Sequence, residues 1–100
     1  MEHNIEHLSE KIKVHGEQAS FEIPLISEKF FYEVSDQIDH CIMLFKLKGD
    51  YSLLFTPDVI KFTYNFAKGE SSKIVKSTFT VALNTLSIIY RKGGKVNIKF

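Results

Sequence analysis

Residues with catalytic or metal-binding chemistry are sparse in this chain of 100 residues. His3 and His7 stand four residues apart, a spacing that places two imidazoles on one side of a helix, as some metal sites require. No cysteine and no third histidine stands at a supporting spacing, so we interpret the pair as solvent-exposed. Cys41, the only cysteine, precedes the apolar residues 42–45, which indicates a buried thiol. The sequence therefore predicts neither a metal nor a cofactor.

A small-molecule enzyme is the least favoured of the functions that these residues allow. It would need a pocket lined by His40, Cys41 or the acidic residues of segment 28–39, where Asp36 and Asp39 stand one helical turn apart. His40 directly precedes the strand that we expect over 41–48, and neighbouring side chains along a strand point to opposite faces, so the imidazole is not placed to activate the thiol. We therefore predict a protein that is not an enzyme.

Charge is divided unevenly along the chain, although the net charge is only +1. Residues 1–57 carry five lysines against ten acidic residues, and residues 58–100 carry eight basic residues against two acidic ones. A basic surface of this kind can meet a nucleic acid through its phosphates, without reading sequence, or can meet the acidic half of another copy. The candidate residues for binding a nucleic acid or another anionic partner are Lys68, Lys73, Lys76, Arg91, Lys92 and Lys95.

Two amphipathic helices are predicted to carry much of the core. Ser27 offers a side-chain cap to a helix over 28–39, whose apolar residues share one face. A shorter helix is predicted over 82–91, before two glycines that would end it. Apolar residues at helical spacing also predict a short N-terminal helix over 2–13, in a segment 1–16 that attaches loosely to the rest.

Alternation of apolar and polar residues predicts the strands. Gly49 and Asp50 predict a tight turn that joins two of them into a hairpin. Short turns between successive strands imply a mainly antiparallel sheet of about six strands, with both amphipathic helices on one face. The fold class is therefore α+β, in a single domain spanning 1–100. The predicted strands span 19–26, 41–48, 51–56, 59–66, 73–81 and 96–100.

The order of these elements over 19–100 resembles one domain of a DNA sliding clamp. In that family a strand and an amphipathic helix are followed by a run of antiparallel strands, a second helix and further strands. The resemblance implies association with DNA and a ring assembled from several copies. The segments that carry it are 21–24 leading into 28–39, the strands within 41–55 and 59–66, the helix 79–89, and residues 93–100.

With catalysis disfavoured, the sequence predicts a non-catalytic binding module. The favoured partner is a protein or a second copy of the chain, as in interaction proteins of phages, plasmids and similar elements, because alternating strands can pair at a sheet edge. The main alternative is a DNA-associated protein, clamp-like or non-specific, that uses the basic second half. No apolar run approaches the roughly 20 residues of a membrane helix, so we expect a cytoplasmic protein with no membrane partner.

Overall fold

The computed structural model describes residues 8–91, which form an antiparallel sheet of four strands with two long helices. The sheet order is β1-β2-β4-β3, so each strand pairs antiparallel with its neighbours. The α+β class and the antiparallel sheet are thus confirmed. A short 3-10 helix, Leu8–Lys11, precedes β1 (Lys13–His15), β2 (Gln18–Pro24), α1 (Glu28–Leu44), β3 (Asp50–Phe55), β4 (Val59–Asn65) and α2 (Ser72–Arg91).

The two central strands, β2 and β4, owe their pairing to strict alternation. Phe21 of β2 lies opposite Phe62 of β4, and their rings stack with centroids 4.8 Å apart on the buried face. On the other face Glu22 lies opposite Lys61, where an exposed ion pair at 3.8 Å contributes little stability. One face of the sheet therefore enters the core and the other remains polar.

Both helices pack on the apolar face of the sheet. The Ser27 hydroxyl accepts a hydrogen bond from the Phe30 N–H at 3.0 Å and caps α1, as predicted. From α2, the Phe79 ring contacts Phe62 and Tyr64 of β4, at centroid distances of 4.8 and 5.3 Å. The helices and the sheet thus enclose one hydrophobic core of aromatic and aliphatic side chains.

The predicted strand over 41–48 is wrong, because α1 continues to Leu44. Cys41 extends the buried stripe of Phe30, Val34 and Ile38 by one more turn, so the apolar residues that follow belong to a helix. The predicted hairpin with 51–56 is wrong for the same reason. Strand β3 instead pairs with β4 through the turn at residues 56–58.

The predicted strand over 73–81 is also wrong, since those residues form the first half of α2. Val75, Phe79, Leu83 and Leu86 are fully buried at helical spacing, whereas Val81, expected on the same face as Phe79, is exposed. The described residues therefore hold four strands rather than about six. The strand predicted over 96–100 lies outside the described residues.

The N-terminal helix predicted over 2–13 is not found in its described part, which forms the 3-10 helix and enters β1. Leu8 and Ile12 do join the core, as their spacing suggested. Residues 2–7 lie outside the described range. Within residues 8–91, no helix has the length and apolar character needed to cross a membrane.

Candidate functional site at the outer edge of the sheet

In the sheet formed by residues 8–91, strands β1 and β3 are the two edges, and they differ in length and charge. Strand β1 has only three residues and exposes Lys13 and His15, and short charged edges resist pairing with another chain. Strand β3 has six residues, and from Tyr51 to Phe55 none of them is charged. Of the two edges, β3 is the one suited to accept another strand.

The register of β3 determines which backbone groups face outward. The Thr56 N–H donates to the Val59 carbonyl at 2.9 Å, and hydrogen-bonded pairs recur at every second residue of an antiparallel ladder. Ser52 and Leu54 therefore bond to β4, while the alternate residues turn their N–H and C=O groups away from it. Within residues 8–91 no strand pairs with these groups. The outward-facing residues are Tyr51, Leu53 and Phe55.

An aromatic cluster adjoins this edge on the helix side. Phe55 is 58% exposed, and the centroid of its ring lies 4.6 Å from the ring centroid of Phe31 on α1. The ring centroids of Phe31 and Tyr32 lie 5.7 Å apart. We call Phe31, Tyr32 and Phe55 the edge patch. On the opposite face of β3, Leu54 is 63% exposed. Apolar groups thus flank the outward backbone groups on both sides, as expected of a binding surface rather than of a solvated edge.

A side-chain hydrogen bond holds α1 against β3. The Tyr51 hydroxyl donates to the Asp39 carboxylate. The hydrogen bond to this carboxylate, together with burial, raises the pKa of Tyr51 to about 12. The Tyr51 hydroxyl therefore stays protonated across the physiological pH range, and its hydrogen bond connects the edge strand to α1.

A partly buried network of hydrogen bonds surrounds the start of β3. The Gly49 N–H donates to the Tyr64 hydroxyl at 2.7 Å, and this hydroxyl donates to the Glu70 carboxylate at 2.6 Å. The same carboxylate accepts from the Lys48 N–H at 2.7 Å and from the Ala67 N–H at 2.8 Å. These hydrogen bonds connect the loop before β3 to the loop after β4.

The basic residues predicted to bind an anionic partner are spread along α2. Lys68 lies in the loop before this helix, and Lys73 and Lys76 lie in its first turns, all three exposed. Arg91 ends the helix, about 22 Å from Lys76 at 1.5 Å per residue. Lys92 and Lys95 lie outside the described residues. DNA binding stays a prediction. If it occurs, the affinity for DNA should fall as the salt concentration rises, and Lys73→Glu and Lys76→Glu should lower it further.

Catalysis by this chain would depend on Cys41, His40 and the acidic residues of α1. Cys41 is buried, as predicted, and burial raises the pKa of its thiol, which disfavours the reactive thiolate. His40 is exposed, and both residues lie on α1 rather than on a strand. His3 and His7 lie outside the described residues, among which no cluster of His, Cys, Asp and Glu could hold a metal ion.

One groove does adjoin the acidic residues of α1. It has a volume of about 540 Å³ and runs between α1 and α2. Glu33, Asp36, Asp39 and His40 all line it from the same helix, while α2 contributes apolar side chains. A small-molecule enzyme would need a pocket lined by these residues, and this groove is such a concave surface. Its ionisable groups, however, all lie on the wall formed by α1.

No family model, curated protein or solved structure matches this chain. The resemblance to a sliding-clamp domain therefore stays a prediction from the pattern of the sequence. The candidate site rests on the geometry of the chain itself.

Sequence reasoning identified β3 almost to the residue but missed its place at the edge. The predicted strand 41–48 would have paired with it and buried its outer side. A signal was present, since Phe30, Val34, Ile38 and Cys41 continue one helical stripe past residue 39. Following that stripe would have removed the false hairpin.

Proposed function

We propose that the chain is a non-catalytic protein-binding module that acts through the outer edge of β3, and that its partner is β3 of a second copy. The observation that carries this proposal is the outward backbone of Tyr51, Leu53 and Phe55 on a strand segment without charge. Such an edge is a ready template for strand addition.

The edge is complementary to itself in one antiparallel register. If a two-fold axis passes beside Leu53, that residue lies opposite Leu53 of the second copy, and Tyr51 lies opposite Phe55. Every outward residue of each strand then has a partner. Three hydrogen-bonded pairs with two bonds each give about six new backbone hydrogen bonds.

Side-chain chemistry agrees with this register. Asp50 lies opposite Thr56 of the second copy, so no carboxylate faces another across the axis. Apolar and aromatic pairs across strands contribute roughly 0.2–1 kcal/mol each. The edge patch lies beside the joined strands, where a second α1 would shield it from water. The pairing therefore reduces the exposure of the edge patch.

Self-association is tested by sedimentation velocity over a concentration series. Leu54→Lys adds a charge on the edge strand without disturbing the core, because that side chain is 63% exposed, and it is expected to shift the chain to monomer. Ile74→Lys is the matched control, since Ile74 is 52% exposed on α2, away from β3, and should leave the dimer intact.

Oxidative cross-linking tests the register. In a Cys41→Ala background, Leu53→Cys places two thiols opposite one another, with Cα atoms about 5.5 Å apart, which suits a disulfide. Asp50→Cys is the control, because the axis separates its two copies by about six residues, or roughly 20 Å along the strands. A covalent dimer is expected for Leu53→Cys alone.

The outcomes separate a second copy from another partner. A monomeric wild-type chain without the Leu53→Cys cross-link contradicts self-pairing. If that monomer captures a host protein that Ile74→Lys also captures and Leu54→Lys does not, the edge binds a strand of a different protein. A monomer whose captured proteins are unaffected by Leu54→Lys removes the edge as the binding surface.

A further inference from the structure

Glu33 is an ionisable residue whose environment the edge proposal leaves unexplained. Its side chain is only 6% exposed, and neither carboxylate oxygen has a hydrogen-bond partner within the described residues. Burial raises the pKa of Glu33, Lys29 opposes this shift and Asp36 adds to it. An unpaired buried carboxylate is costly, and such groups in proteins generally have a partner. Within the described residues, the Glu33 carboxylate is therefore a buried acceptor that no donor satisfies.

The carboxylate lies in the wall of the groove between α1 and α2. Asp36 and His40 follow Glu33 at positions i+3 and i+7, so the three side chains lie along one face of α1. The facing wall, from α2, consists of Leu86 and Ile89, and Met43 extends the apolar surface at one end. The groove therefore pairs an acidic wall with an apolar wall.

We propose that this groove binds an organic cation, a guanidinium or ammonium group on an aliphatic stem, with Glu33 as its anionic partner. A guanidinium fork matches both oxygens of one carboxylate, and charge-assisted bonds of this kind are the strong ones. The stem lies along Leu86 and Ile89, as the methylene groups of long basic side chains commonly do on apolar surfaces. Asp36 and Asp39 add attraction at the rim.

An inorganic cation fits the groove less well. Calcium and magnesium take six or more oxygen ligands, and zinc takes four ligands at fixed geometry. Among the described residues no three potential ligands converge to hold a metal ion. An organic cation needs only one carboxylate and an apolar surface, and the groove supplies both.

Isothermal titration calorimetry with n-hexylguanidinium tests the proposal. Saturable binding is expected, and Glu33→Gln, which keeps the shape of the side chain, should weaken it at least about tenfold. Glu22→Gln is the control, because Glu22 lies on the polar face of the sheet and its loss changes the net charge equally. Hexanol, with the same stem and no charge, should not bind measurably.

A second pair of variants keeps the test valid if Glu33→Gln folds poorly. Ile89→Lys places a cation of the chain itself beside the groove and should block binding, whereas Ile88→Lys, at an exposed position one residue away, should not. Absence of saturable binding, equal binding by Glu33→Gln, or equal binding of hexanol each overturns the proposal.

The source of the cation is distinguished in the same experiment. A peptide Ala-Arg-Ala with both ends blocked offers the guanidinium as a protein side chain, and n-hexylguanidinium offers it as a small molecule. Binding of the peptide that depends on Glu33 assigns the groove to a basic side chain. Binding of n-hexylguanidinium alone assigns it to a free amine or guanidine. Neither result depends on the oligomeric state, so the two proposals fail independently.

Discussion

The Tyr64 hydroxyl donates a 2.6 Å hydrogen bond to Glu70, six residues further along the chain. The hydroxyl lies at the end of a ring that is fully buried in the core, while the carboxylate lies in the loop before α2. Through Lys48 the same carboxylate also reaches the loop before β3. One pair of side chains thus connects the core, two loops and the edge strand.

Removing this carboxylate is expected to destabilise the fold. Glu70→Ala leaves the Tyr64 hydroxyl and the N–H groups of Lys48 and Ala67 without their acceptor, and we expect a loss of about 2–3 kcal/mol in the free energy of unfolding. Urea denaturation measures the change. Tyr64→Phe, which keeps the ring and removes one hydroxyl, should cost less, about 1–2 kcal/mol. A loss below about 0.5 kcal/mol for Glu70→Ala would show that the network is solvated rather than structural.

The same network predicts a dependence of stability on acid. Burial by itself raises the pKa of Glu70, but hydrogen bonds from Tyr64, Lys48 and Ala67 outweigh it and lower the pKa below the ordinary 4.5. A lowered folded-state pKa means that this stabilisation is complete above pH 4.5 and is lost as the pH falls through the folded value. Urea midpoints between neutral pH and pH 3 should fall more steeply for the wild type than for Glu70→Gln. Parallel curves would contradict the predicted role of this carboxylate.

Glu33 should show the opposite sign. Because its pKa is raised, the folded state holds the proton more tightly than the unfolded state, and stability falls as the pH rises through and above 4.5. Glu33→Gln removes this penalty, so the variant should be as stable as or more stable than the wild type at pH 7. Thermal melts at pH 4 and pH 7 measure the difference, which should grow with pH. Marked destabilisation at pH 7 would mean that the carboxylate has a partner in the free protein.

Gly49 is required for a steric reason. A Cβ at this position would overlap the Asn65 carbonyl oxygen and lie 2.6 Å from the ring of Tyr64. Gly49→Ala should therefore cost about 1–3 kcal/mol, because backbone or a packed ring must move. Gly16→Ala provides the comparison: Gly16 has open space around it and a φ of 58°, so its cost, about 1 kcal/mol, is conformational only. Chemical denaturation of both variants ranks the two effects.

Phe79 should be costly to truncate. Its side chain is fully buried against the rings of Phe62 and Tyr64, so Phe79→Ala removes contacts between α2 and the sheet. We expect a loss of about 3–5 kcal/mol in denaturant melts. Ser77→Ala, at an exposed position of the same helix, should change stability by less than about 0.5 kcal/mol.

The local signals of the sequence were sufficient for β2, β4 and the start of α1. Phe21 and Phe62 recur in strict alternation, which only a half-buried strand explains, and Ser27 supplies the cap that begins the helix. These features depend on neighbouring residues alone. They could therefore be read without knowledge of the tertiary structure.

The first half of α2 was missed because propensity and packing disagree. Residues 73–81 include Val75, Thr78, Thr80 and Val81, whose β-branched side chains favour a strand. The helix forms because it buries Val75, Phe79, Leu83 and Leu86 together, and tertiary packing outweighs weak propensity. Single-residue tendencies could not reveal this outcome.

The candidate site depended on long-range pairing that no local pattern contains. Whether β3 is a central strand or an edge strand depends on whether another strand lies beside it. From the sequence, residues 41–48 could have formed that neighbouring strand or the end of a helix. Likewise Glu33 is an ordinary helix residue in the sequence, and only the structure shows that it is buried and lines a groove shared with α2. The chemistry of both surfaces arises from contacts between distant segments.

The one-sided placement of α1 and α2 has a consequence for an assembled pair. An axis that joins two antiparallel edge strands runs perpendicular to the sheet, so both helical layers fall on the same side. On the opposite side, the four described strands of each copy join in one continuous surface that bears polar side chains, the Glu22–Lys61 ion pairs and the exposed Leu54. Such a dimer has two unlike surfaces, and the proposed cation-binding grooves of both copies lie on the surface formed by the helices.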